Sequence, residues 1–386
     1  MQCILADTLY TGRAVLKDAT VCFQGDRIVS AGRQRRGEQI GRFPVVTPAF
    51  IDAHNHIGMA RAGEPENEAE YNEQMDSVIT LTDALDSVQM DDTCLTDAVE
   101  MGVLYSCVMP GSANIIGGLS AVIRHYAPDT SSALIGRAGL KAAFGFNPTS
   151  VRDWKGTRPS TRMGAMAILR GKLAAVREKM RKRRVRPARG PDAALSAAEQ
   201  VLRDVLKRKL RLRAHVHKIN DIAALLRLAD EFGLDVSIEH ACDVHQVEIF
   251  RQLRGRRIPV IFGPMDAFAY KTELKHANWR NVRVLVESGV TFGLMSDHPV
   301  TPCRQLLLQT RWLLRAGVSR QQAIELLTRV NARLLGVDRQ LGTLARGKWA
   351  SLVGWNGDPF DLASYPAMVV GEGKTLFAEG RPAPSN

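Results

Sequence analysis

The sequence predicts an α/β fold, a (β/α)8 barrel with a small β-sandwich domain built from both chain termini. Three observations predict it. Short, wholly apolar runs alternate with helical periodicity through the middle of the chain. Both ends read as strands and turns instead. Histidines and an aspartate fall at the C-terminal ends of the apolar runs, the ends that open on one face of a β/α barrel.

At the N-terminal end, strand patterns over Leu16–Phe23 and Arg27–Ala31 flank the turn Gln24-Gly25-Asp26. Residues 41–48 lead into the central pattern. Its strand candidates are Ala49–His54, Val103–Val108, a weaker Ala121–His125, Leu140–Gly145, Leu212–Val216, Val236–His240, Pro259–Phe262 and Val290–Met295. Their faces are mostly apolar throughout, as expected of parallel strands buried on both sides. Helices such as Asn220–Phe232 and Val244–Leu253 separate them. Ser319 and Gln322 form a capping box for a helix to about Thr328, and a second short helix ends near Gly336. Strand character returns at Ala350–Trp355 and Ala367–Val370. These patterns place the barrel at residues 49–337 and the sandwich at residues 1–48 together with 338–386.

The chemistry is carried by Asp52-Ala53-His54-Asn55-His56. On a strand the side-chain period is two, so His54 and His56 point to one side, roughly 6–7 Å apart along the backbone, and can converge on one ion. Alone, an H-x-H pair is a weak signal. Here His215 and His217 end the strand Leu212–Val216, His240 closes Val236–His240, and Asp297 with His298 follows Val290–Met295. Scattered structural histidines have no reason to gather at one mouth of a barrel. The residues therefore predict a metal site at this mouth, drawn from His54, His56, His215, His217, His240, Asp297 and His298.

The run from Val46 to His56, followed in order by His215, His240 and Asp297, resembles the metal motif of the amidohydrolase superfamily, whose barrel is of the TIM type and whose accessory β domain is also split between the termini. The resemblance spans essentially the whole chain. The segments 110–118, 158–164 and His215-Val-His217 resemble its imidazolonepropionase-like and prolidase-like branch. It implies a metal-dependent hydrolase of C–N bonds in small molecules, with a divalent cofactor, zinc by preference. The pattern departs from the family in two places. Pro48 is followed by Ala49 where the family has Gly. In the segment 145–148, where relatives carry Glu, this chain has Phe146, which cannot ligate. Lys141 on the same strand is either a carboxylated bridge between two ions or a surface lysine extending its stem. Four neutral imidazoles and one carboxylate offset little charge, so one ion is expected rather than two. His54, His56, His215 and Asp297 would hold it, with His240 mainly polarising the substrate. Asp297 would act as general acid and base on water and the leaving nitrogen. His217, Arg158 and Arg162 are candidate substrate contacts, the arginines by gripping a carboxylate. The competing readings are a dipeptidase or acyl-amino-acid hydrolase, and a catalytically silent relative that binds a small molecule.

Composition bounds the rest. The 386 residues are 45% hydrophobic and 24% charged, enough for a sizeable core. No apolar run nears the roughly 18 residues of a membrane span, and the start lacks the pattern of a signal peptide, so a cytoplasmic protein is expected. The six cysteines form no C-x-x-C pair and are expected as reduced thiols. The net charge of +12 comes mainly from residues 170–190, which hold ten Lys and Arg against one Glu. Ile168, Leu169, Leu173, Val176 and Met180 recur there at helical spacing, so the charge reads as one solvated helix face. No aromatic residues interleave with it, which argues against a nucleic-acid surface. The expected partner is a small-molecule substrate, with no nucleic acid and no membrane; self-association into a homo-oligomer is left open.

Overall fold

The computed structural model describes residues 1–34, 37–60, 69–150, 158–185, 194–269 and 271–380. Its strands form two sheets. The first takes strands from both termini: β1 (Gln2–Tyr10), β2 (Val15–Gln24), β3 (Arg27–Gly32), β4 (Glu38–Pro48), β13 (Leu352–Trp355), β14 (Pro366–Gly371) and β15 (Lys374–Ala378), in the order β15-β14-β13-β4-β1-β2-β3. These strands enclose a small core of their own, with Ile4, Leu9, Val21, Phe23, Leu352 and Val370 buried. The second sheet holds β5 (Phe50–Asn55), β6 (Val103–Val108), β7 (Ile116–Arg124), β8 (Leu134–Ala143), β9 (Leu212–Val216), β10 (Val236–His240), β11 (Val260–Phe262) and β12 (Phe292–Leu294) in chain order. It is the eight-stranded, nearly closed barrel of an α/β protein.

One strand departs from the parallel pattern. β7 is antiparallel to both β6 and β8. The link from β6 is the loop 109–115, too short for a crossover helix, so the chain can only turn back. The other pairs are parallel. Helices cover them where the crossovers are long. Ile219–Phe232 buries Ile222, Leu225, Leu226 and Phe232, and stops at Gly233, whose φ of 68° is the left-handed conformation that ends helices. The capping box at Ser319 forms as expected. Its helix passes through a π-helical turn, Leu326–Val330, and continues to Leu335.

The seam between the edge strands β5 and β12 is closed by side chains and by two backbone bonds just beyond β12, from Asp297 N to His54 O (3.1 Å) and from His56 N to His298 O (2.9 Å). Asn331 donates to Ile51 O (2.7 Å) and Leu294 O (2.9 Å) and accepts from Leu294 N (3.1 Å). Asp52 accepts from the backbone and hydroxyl of Ser296, just beyond β12. A side chain at Gly293 would collide with Asn331, since a Cβ there falls 2.2 Å from Asn331 Oδ1.

Two expectations are corrected. The strands are not apolar on both faces. Asp52, His54, Ser106, Lys141, Arg213, His215, Ser237 and Glu239 are all buried polar residues of the barrel strands. The cysteines are not all reduced: Cys3 and Cys22 form a disulfide, because β1 and β2 pair antiparallel with these two residues directly opposite each other. Spacing along the chain does not reveal such a cross-strand pairing. Cys94, Cys107, Cys242 and Cys303 are free thiols. Among the described residues no helix is long and apolar enough to cross a membrane.

Candidate metal centre

The C-terminal ends of β5, β9 and β10 and the turn after β12 bring His54, His56, His215, His217, His240 and Asp297 together at one mouth of the barrel. The rings of His54 and His240 are 5.0 Å apart, and those of His215 and His240 are 4.2 Å apart. Asp297 Oδ1 lies 3.4 Å from His56 Nε2 and 3.6 Å from His54 Nε2, and its Oδ2 is 4.0 Å from His240 Nδ1. His240 and Asp297 both hold the left-handed backbone, with φ of 77° and 56°. That conformation costs a side-chain-bearing residue roughly 1–2 kcal/mol, and such strain gathers at functional sites.

Tautomers follow from the partners. His56 Nδ1 is 2.7 Å from Met109 O, and His240 Nδ1 is 2.9 Å from Gly263 O. A carbonyl oxygen only accepts, so both Nδ1 atoms carry the proton. His54 Nδ1 faces the Glu239 carboxylate at 2.9 Å and donates in the same way. Three Nε2 lone pairs are thereby left for the site, and that of His240 is buried with no hydrogen-bond partner. Burial lowers the pKa of His54, His215 and His240 well below the ordinary imidazole range, which keeps them neutral. Burial alone would raise the Asp297 carboxyl, but the groups around it, the Lys141 ammonium among them, outweigh it and hold it below the ordinary carboxylate range. Neutral imidazoles with bare lone pairs beside an ionised carboxylate fit a divalent cation.

Several of these contacts were not legible in the sequence. Glu239, which orients His54, is held by Arg213 through two hydrogen bonds of 3.0 Å and by Ser237 Oγ at 2.6 Å. The alternation Leu-Arg-Ala-His-Val in β9 and Val-Ser-Ile-Glu-His in β10 signals such inward polar positions. Glu273 gave no signal. It reaches in from the loop after β11, is buried, lies 3.6 Å from His215 Nε2, and accepts from Phe146 N at 2.9 Å. The corner where Phe146 cannot ligate is thus supplied with a carboxylate from another loop. Lys141 is not a surface lysine: it is fully buried, with Nζ 3.2 Å from His54 Nε2.

Above the centre lies a cavity of about 660 Å³, whose walls include His56, Tyr71, Phe146, Asn147, Arg158, His215, Lys271 and Asp297. Arg158 thus faces the same space as the centre. Arg162 does not. It is paired with Asp221 at 2.6 Å and borders a neighbouring hollow, so its candidacy as a substrate contact is not supported by its position. His217 is buried against His215 and His240, with ring separations of 4.8 Å to each.

This geometry meets the comparisons with known proteins at one point. The model of the Amidohydrolase family matches residues 45–381, nearly the whole chain and every residue of the centre. The chain belongs to the amidohydrolase family. Among solved structures, this amidohydrolase is similar to an amidohydrolase from Thermotoga maritima MSB8, with 30% identity, 98% of this chain and 100% of that one covered, and a TM-score of 0.91. A prolidase complexed with N-methylphosphonate-L-proline shares the fold at 18% identity, with coverage of 98% and 100% and a TM-score of 0.64. Amidohydrolase tasK of Hapsidospora irregularis is 25% identical over 355 residues, 86% of this chain. The chain spans only 36% of the length of that relative.

Proposed function

We propose that this amidohydrolase hydrolyses a C–N bond of a small molecule, a cyclic amide, lactam or amidine, using a zinc-type divalent centre and water. The observation that carries the reading is the set of three imidazoles whose protonated nitrogens are fixed by Glu239, Met109 O and Gly263 O, with the bare nitrogens of His54 and His56 turned to Asp297. His54, His56 and Asp297 would hold one ion, and His215 and His240 a second. A bound divalent metal supplies Lewis-acid polarisation of a carbonyl and acidification of water.

The second ion revises the single one expected from sequence, for two reasons. With its proton on Nδ1, His240 has no N–H to offer a substrate carbonyl and suits the role of ligand. Burial also lowers the Lys141 amine to about 8. An amine of that kind adds carbon dioxide to give a carbamate and a proton; counted from the ammonium, two protons leave and a buried positive charge becomes a negative one. Asp297, Glu273 and that carbamate then nearly balance two divalent ions. Asp297, whose side chain keeps an exposed edge, would take a proton from water and return it to the leaving nitrogen.

A specific observation favours a second reading. Arg158 and Lys271 both line the cavity, as expected for a substrate carrying a carboxylate. That is the chemistry of a dipeptide or acyl-amino acid. A panel of lactams, cyclic ureides, amidines, acyl-amino acids and dipeptides, each beside its carboxamide counterpart, tests both. Hydrolysis of the cyclic compounds irrespective of charge supports the first, and a strong preference for the free carboxylate supports the second. No turnover of any member by zinc-loaded protein would refute both.

A further inference from the structure

A second group of metal-ligating side chains lies outside the centre, on the rim. Asp243 and His245 belong to the loop after β10, and His276 to the loop after β11. Asp243 is buried at 2% exposure, whereas the His276 side chain is 48% exposed. Asp243 Oδ2 lies 3.4 Å from His276 Nδ1, and the two imidazole rings are 4.4 Å apart. One donor atom from each of the three residues can be chosen so that all lie within 4.8 Å of one another. Two ligands of a tetrahedral zinc, at bonds of about 2.0–2.1 Å, sit roughly 3.4 Å apart. The Asp243–His276 pair is already at that spacing, and a modest rotation of the exposed His245 closes the rest. His245 Nδ1 is 3.0 Å from Asp243 O and so carries its proton there, which leaves the Nε2 lone pair for an ion.

We propose that Asp243, His245 and His276 form a peripheral divalent-metal site, suited to zinc, that ties the loop after β11 to the loop after β10. Two histidines and one carboxylate supply three ligands and leave the solvent side for water, a donor set typical of zinc. The tie has a consequence for the mouth of the barrel. The loop that carries His276 also carries Lys271 and Glu273, which reach the cavity and His215. The loops are already joined by Asn281 Nδ2, which donates to both Cys242 O and His276 O at 2.9 Å, and by His276 N, which donates to Asp243 Oδ1. An ion would add a further tie across the same gap and order the segment that places those two charges.

The test compares the full-length protein with His245→Gln/His276→Gln and with His276→Gln alone, a half-exposed position that leaves the fold intact. Zinc binding is followed by equilibrium dialysis over a range of free zinc, with circular dichroism as the folding control. The wild type should bind one ion per chain more than the double variant, and His276→Gln should weaken that ion at least tenfold. Zinc should also slow amide hydrogen exchange over residues 271–276 in the wild type and not in the double variant. Equal zinc binding by wild type and both variants at every concentration would overturn the site. An extra ion that leaves exchange over 271–276 unchanged would overturn the tie between the loops.

Discussion

At the mouth of the barrel each residue's role is set by which of its atoms the protein has already used. Glu239, Met109 and Gly263 take one nitrogen each from His54, His56 and His240, and Asp297 keeps its carboxylate ionised among them. Asp297→Asn retains the size and can still face an ion, but it cannot accept a proton. We expect turnover to fall by about 10²–10⁴-fold with the fold intact by circular dichroism; activity near wild type would remove Asp297 from the proton path. His125 is a contrasting case, buried away from the mouth between Val103 O (2.9 Å) and Ser106 Oγ (2.7 Å), with its pKa lowered by burial to about 3. In the unfolded chain it titrates near 6.5. Its stabilising contribution is therefore complete above pH 6.5 and is lost as the pH falls toward 3, on the order of a few kcal/mol in all. Urea unfolding of His125→Gln across that window should show a shallower loss than wild type, by one proton's worth of slope, and parallel curves would contradict this. The gathering of histidines and Asp297 at one mouth was legible because histidine is rare and its positions fell at strand ends. Glu273 was not, because nothing local distinguishes a loop glutamate that turns inward from one that stays in water.

At the level of elements, a sheet whose first and last strands are not joined by a ladder needs another closure, and Asn331 supplies part of it. The π-helical turn that precedes Asn331 places its amide on the seam, where it satisfies Ile51 O and both backbone groups of Leu294. Asn331→Ala would leave those groups buried and unpaired, at about 2–4 kcal/mol. Gly293→Ala should give a similar loss by displacing the same side chain, whose Oδ1 lies 2.2 Å from the site of the new Cβ. Urea titrations of the two variants read this directly, and a change below about 0.5 kcal/mol in both would show that the seam is held otherwise. Most barrel strands were visible as apolar runs bounded by helices. The reversal at β7 was not, because an apolar strand carries no mark of its direction, and only the short loop 109–115 hints at it. The inward Arg213 and Glu239 were marked only by the alternation of polar with apolar residues along β9 and β10.

For the molecule as a whole, the basic charge and the chemistry are separate. The helix Arg162–Val185 buries Ala165, Leu169, Leu173 and Val176, while Arg170, Lys179 and Arg181 pair with Glu231, Glu199 and Glu178. The part of the basic segment beyond Val185 lies outside the described residues. Replacing Arg181, Lys182 and Arg183 with Gln should leave turnover of a neutral substrate within about threefold and shift only solubility or polyanion binding. A collapse of turnover in a folded variant would place this helix in the substrate site. The composition made this separation readable, since the charge is concentrated in a segment without aromatic residues. The burial of Lys141, on which the proposed second ion rests, was not readable, because burial belongs to the assembled barrel. The most direct test of the account is the metal content of His245→Gln/His276→Gln protein, which removes the rim from the count, saturated with zinc, desalted and analysed by plasma emission. The account predicts about two ions per chain, falling to one or fewer in the same protein carrying Lys141→Met. A metal content near zero in the folded protein would contradict it.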